Sequence, residues 1–113
     1  MIGKVIDIEI IKDDEYSKVV FTLENDECWI LKHNIQYNEQ AFIKEISPTF
    51  NSLIGKEIVK VTESNRVISS TDNLEILNDT WIFKTSDGIS EFITFEGTYD
   101  FEYGLSTSLE KIT

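Results

Sequence analysis

Thr80-Trp81-Ile82-Phe83-Lys84-Thr85-Ser86-Asp87-Gly88-Ile89-Ser90-Glu91-Phe92-Ile93-Thr94-Phe95 is the stretch that decides the fold class. Its first part alternates, with Trp81 and Phe83 on one face, and a period of two is the mark of a half-buried strand. Asp87-Gly88 follows and is the strongest hairpin signal in the chain, expected as a type I′ turn with positive φ at both central residues. Ile89 to Phe95 then returns as the partner strand, with Ile89, Ile93 and Phe95 sharing a face.

The same design stands earlier in the chain. Val19-Val20-Phe21 precedes Asn25-Asp26 as Trp81-Ile82-Phe83 precedes Asp87-Gly88. Ile2-Gly3-Lys4-Val5-Ile6 reappears as Ile54-Gly55-Lys56-Glu57-Ile58. The expected organisation is a single domain over 1–113 with an internal repeat, 1–37 and 53–97. Residues 2–11 read as a strand with Ile2, Ile6, Ile8 and Ile10 on one face. Residues 18–24 read as a second strand with Val19, Phe21 and Leu23 inward, and Glu27 to His33 as a third. In the second copy, Val59 and Val61 fall out of phase with Ile58, which predicts a bulge near Ile58 or Val59.

Three segments stand outside the repeat. Asn38 to Ile46 reads as a short helix, with Asn38 as cap, an apolar stripe of Ala41, Phe42, Ile43 and Ile46, and Pro48 as its stop. Residues 62–73 are rich in Ser, Thr, Asn and Asp and read as an exposed loop, followed by a short strand over 74–77. Residues 103–112 are expected to complete the sheet. The fold class is therefore mainly β, at the margin of α+β: an antiparallel sheet or partly open barrel of two related three-stranded meanders with one short helix.

Composition bounds the function. Twenty-one acids face ten bases in 113 residues, a net charge of −11. The excess is even along the chain, with ten acids and five bases in residues 1–52 and eleven and five in 53–113. Such a field repels nucleic acid and anionic lipid and speeds encounter with basic proteins. The single cysteine, Cys28, has no partner for an internal disulfide. With no signal-like start and no long apolar run, the expected location is the cytoplasm.

Catalytic chemistry has little to draw on. Cys28 and His33 are five apart on one strand and fall on opposite faces, so they do not make a nucleophile–base pair. One histidine and one cysteine do not make a zinc site. Asp13-Asp14-Glu15 lacks the spacing and central glycine of a calcium loop. The five glycines never cluster into a phosphate-binding loop. No enzyme activity, cofactor, metal, membrane span or direct nucleic-acid contact is expected.

One stretch invites a partner. Tyr99-Asp100-Phe101-Glu102-Tyr103 interleaves aromatics with carboxylates. On a strand this is core on one face and solvent on the other; on a loop it is a recognition rim, with aromatic anchors beside acids that set register. Asp13, Asp14 and Glu15 form a second acidic patch.

Leu53 to Val61, with Trp81-Ile82-Phe83 and Ser86-Asp87-Gly88, looks like small uncharacterised bacterial β domains that open with a hydrophobic-Gly-Lys-x-Ile strand. In size and charge the chain also resembles bacterial immunity proteins of toxin–immunity systems. That resemblance implies a stoichiometric inhibitor covering the active site of a basic toxin, often a nuclease, and it assigns no residue a role. The alternatives are a small-molecule-binding β domain with a cavity lined by Trp29, Trp81 and Phe83, a homodimer pairing through an open sheet edge, and a viral inhibitor that mimics DNA.

Overall fold

In the computed structural model, residues 1–12, 17–34, 41–70, 75–99 and 106–113 are described. They form eight strands and one 3-10 turn: β1 (Gly3–Lys12), β2 (Ser17–Leu23), β3 (Cys28–Asn34), β4 (Ala41–Ile46), the turn Phe50–Leu53, β5 (Glu57–Ser70), β6 (Glu75–Thr85), β7 (Ser90–Tyr99) and β8 (Ser106–Lys111). All pair antiparallel in one open sheet of order β4-β7-β6-β5-β1-β2-β3-β8. The protein is mainly β and the sheet does not close into a barrel.

That order reads the same from either end once each strand of the first half is matched with its counterpart in the second. β1-β2-β3 and β5-β6-β7 are both meanders, and β1 meets β5 at the middle. Each fourth strand crosses over: β4 pairs with β7, and β8 pairs with β3. The exchange leaves the ends of both halves dependent on each other.

The middle seam is short. Only Gly3↔Ile58 and Lys4↔Glu57 pair across it, extended by Val5 N–H to Lys56 O (2.9 Å) and Gly55 N–H to Val5 O (2.7 Å). Gly3 adopts φ +142°, which favours glycine. Both strands bulge just beyond the seam, between Val5 and Asp7 and between Ile58 and Lys60. The second bulge is where the phase break in the sequence places it. The first is hidden because Ile6 is apolar in either phase. It reverses the expected face on its N-terminal side only: Val5 is buried and Ile2 and Ile6 are exposed, while Ile8 and Ile10 pack against the core as expected.

The two halves close on one core. Val19, Phe21, Leu23 and Leu31 of the first meander meet Ile58, Phe83, Ile93 and Phe95 of the second, with Val5, Ile43, Phe50 and Leu53 completing the cluster. Phe21 and Phe83 lie with ring centroids 5.0 Å apart, and Phe50 packs edge-on against Phe83 at 5.9 Å. Burying such rings contributes roughly 2–3 kcal/mol each.

Both hairpins use the same turn. Asp26 N–H bonds Leu23 O and Gly88 N–H bonds Thr85 O, each at 3.1 Å; Leu23 N–H bonds Glu27 O at 2.8 Å and Thr85 N–H bonds Ile89 O at 2.9 Å. One residue in each has positive φ, Asp26 at 66° and Gly88 at 86°. This is a three-residue loop with a single left-handed residue, so Asp87-Gly88 does not form the two-residue type I′ turn expected.

Two further expectations are corrected. Residues 41–46 form a strand, not part of a helix. β7 would otherwise leave its outer backbone groups unpaired, and β-branched and aromatic residues suit a strand. A register shift between Ile43 and Glu45 turns both Ile43 and Ile46 toward the core, which is why their spacing looks helical. Among the described residues, which do not include 38–40 of the expected helix, the one helical segment is Phe50–Leu53, whose Phe50 and Leu53 are buried. Residues 62–70 belong to β5, paired with β6 as far as Ser70↔Glu75. They are exposed, as their composition predicts, but the ladder gives their backbone partners.

Candidate functional site

Seven of the eight candidate residues singled out by sequence lie outside the described residues: Asp13, Asp14, Glu15, Asp100, Phe101, Glu102 and Tyr103. Tyr99 is the last residue of β7 and pairs with Glu75. The strands show where these stretches start and finish. Lys12 pairs with Ser17, Asn34 with Ser106, and Ser70 with Glu75. Side-chain contacts place the outer ends of the two halves together: His33 of β3 meets Phe95 of β7, and Thr107 of β8 meets Asp79 of β6. The connections 13–16, 35–40, 71–74 and 100–105 therefore all join strand ends lying on one side of the fold, away from the β1–β5 seam.

The connections differ from the rest of the chain in composition. Those four connections carry seven acids, Asp13, Asp14, Glu15, Glu39, Asp72, Asp100 and Glu102, and no base. The rest of the chain holds fourteen acids and all ten bases.

The strands beneath that end carry a buried polar cluster. On the inner face of β6, Asp79 stands in line with Trp81 and Phe83, and it is 1% exposed. Trp81 Nε1–H donates to Thr107 Oγ1 at 2.8 Å. Thr107 Oγ1 also bonds Glu63 Oε2 at 3.0 Å and the Oδ2 of Asp79. The Oδ1 of Asp79 is buried with no hydrogen-bond partner. Burial, with the hydrogen bond and negative charge of Glu63, pushes the Asp79 carboxyl up to about 8. His33 is buried at the same end, where its Nε2 accepts from Ser17 N–H (3.4 Å). Cys28 lies on the other face of β3 beside Thr22 (3.9 Å), so the two are not a catalytic pair.

A second buried carboxylate has a structural task. Glu91 accepts from Ser47 Oγ (2.5 Å), Thr49 Oγ1 (2.6 Å) and Ser52 Oγ (3.1 Å). Burial raises its pKa, but the three hydroxyls outweigh it and hold the carboxyl below the usual glutamate range. The bonds fasten the segment that links β4 to β5 onto β7.

Phe83 fills the space between the halves with Phe21 and Phe50, where a small-molecule site would have placed a cavity. A groove of about 400 Å³ lies instead on the outer face, lined by Thr80, Ile82, Phe92 and Thr94 with Ser90 and Glu91 at its end. Among the described residues, no group of three His, Cys, Asp or Glu side chains is placed to hold a metal ion, and no helix is long and apolar enough to cross a membrane.

Asp79, Glu63, Thr107 and Glu91 were not singled out by the sequence reading. Two of them leave a trace: Asp79 alternates with Trp81 and Phe83, and Glu91 with Ile93 and Phe95, each an acid in phase with an apolar face. Thr107 leaves none, because its partners come from strands distant in sequence. No protein-family model, curated protein or solved structure matches the chain.

Proposed function

We propose that this chain is a non-enzymatic protein-binding module whose acidic end covers a basic partner, in the manner of a cytoplasmic inhibitor that neutralises a nuclease-type toxin. The observation that carries the reading is the charge division: seven acids and no base in four connections that join strand ends on one side of the fold. A nuclease binds phosphates through a basic cleft, and an array of carboxylates is the complementary surface. Asp13, Asp14, Glu15, Asp100 and Glu102 supply the charge in this reading, with Tyr99, Phe101 and Tyr103 as anchors. The packed phenylalanines between the halves speak for a rigid binding scaffold over a ligand carrier.

The test is affinity capture from the native host at low salt, followed by association kinetics with the captured partner. The expected result is a basic protein held in equal amount and released by salt. Neutralising Asp100 and Glu102 to Asn and Gln should then slow association about tenfold and flatten its salt dependence. A chain that captures nothing at low salt, or a variant with unchanged kinetics, overturns the reading.

A further inference from the structure

We propose that Asp79, Glu63 and Thr107 form a proton-dependent clasp, which holds β8 against the second meander at neutral pH and releases it in alkali. β8 pairs by backbone only with β3, yet the Thr107 side chain reaches across to β5 and β6. It is one of the side-chain links between the exchanged strand and the opposite half.

The hydrogens at Thr107 do not suffice for two carboxylates. Trp81 Nε1–H can only donate, so Thr107 Oγ1 accepts from it. The hydroxyl then has one hydrogen, which serves one carboxylate. The remaining carboxyl must bring a proton of its own. Asp79 is the buried member and Glu63 the exposed one, and ionisation costs most where water is absent. The proton therefore belongs on Asp79, donated to Thr107, while Thr107 donates to Glu63. The upward shift of Asp79 to about 8 agrees with this placement.

Among the described residues, the titratable groups facing this cluster are Glu63 from β5 and His33 from β3; β7 contributes Phe95 and β6 contributes Trp81. Glu91 sits further along β7 and is engaged by its three hydroxyls. The counterpart of the clasp in the other half has nothing to titrate: Ile43 pairs with Phe95 as Thr107 pairs with His33, and Ile43 is part of the apolar core. The device is one-sided.

Because the folded pKa is raised, the bonded form persists below it and is lost as pH rises through about 8. Two carboxylates then share one hydroxyl, and their repulsion loosens β8 from β6. Ser106, which begins β8, follows directly in sequence on the acidic connection 100–105.

The experiment uses the Trp29→Phe chain, leaving Trp81 as the reporter. Trp81 emission is followed from about pH 6 to about pH 10, with infrared detection of protonated carboxyl. The expected result is a one-proton change in emission centred near 8, with a protonated carboxyl band at neutral pH that Asp79→Asn removes. Thr107→Val should keep the band but uncouple Trp81 emission from it. Absence of the band at neutral pH overturns the proposal, as does an emission change that persists in Asp79→Asn or in Thr107→Val.

Discussion

On the inner face of the first meander, β2 reads Ser17, Val19, Phe21, Leu23; on the second, β6 reads Asp79, Trp81, Phe83, Thr85. On the neighbouring strands Trp29, Leu31 and His33 stand where the second meander has Glu91, Ile93 and Phe95. The topology, the bulge and the turn hydrogen bonds match, while the chemistry does not. The shared positions at the centre, Phe21 and Phe83, touch each other and are apolar in both. Differences accumulate outward, and the second meander takes the buried carboxylates. One backbone plan thus carries unlike side chains: Glu91 is met by three hydroxyls, while Asp79 keeps one buried oxygen without a partner.

The largest effects test the shared centre. Phe21→Ala and Phe83→Ala should each cost about 3–5 kcal/mol. The double variant should cost less than the sum, because the rings are in contact. Chemical denaturation measures both, and strictly additive losses would mean that the halves have separate cores.

Next comes the carboxylate that the first meander lacks. Glu91→Ala removes the acceptor for three hydroxyls and should cost about 3 kcal/mol. The lowered pKa sets the sign of its pH dependence: the contribution is full above the ordinary value of 4.5 and fades as pH falls through the folded pKa. Unfolding from about pH 3 to pH 7 reads this out, and a variant with the wild-type acid slope would refute it.

Asp79 has the opposite sign. Its raised pKa means that stability falls as pH rises from 3.8 toward about 8. Asp79→Asn resembles the protonated acid and donates at every pH, so it should flatten this slope and add about 2 kcal/mol at pH 8. Thermal melts across that window decide it, and a variant that keeps the slope removes Asp79 as its source.

The smallest effects distinguish the turns. Gly88→Asp should lose about 1 kcal/mol, and Asp26→Gly should gain about half as much, since a side chain at positive φ is strained in either hairpin. Equal and opposite shifts in denaturation midpoint would mean that the two turns are interchangeable.

Much of this plan was legible in the chain. Val19, Phe21 and Leu23 alternate cleanly, and so do Trp81 and Phe83, because a strand with one buried face imposes a period of two. The bulge at Ile58 showed as a phase break, whereas the one at Ile6 did not, since an isoleucine fits either face. Even the matched glycines misled by one residue: Lys4 O accepts from Glu24 as Glu57 O accepts from Ser86, so Lys4 corresponds to Glu57 and not to Lys56. The candidate site was legible only as charge. Its acids were named, but that the strand ends flanking them lie on one side depends on how distant strands pair.

Local chemistry in the sequence determined the β class, the three-residue alternations, the hairpin positions and the net charge, because each acts over a few neighbouring residues. Only the tertiary structure decided that β1 meets β5, that β4 and β8 change places, that 41–46 is a strand, and that Asp79 is buried beside Glu63 with its pKa pushed up. Those outcomes depend on which sheet edges still have unpaired backbone groups, and on which carboxylates are buried together when distant strands meet.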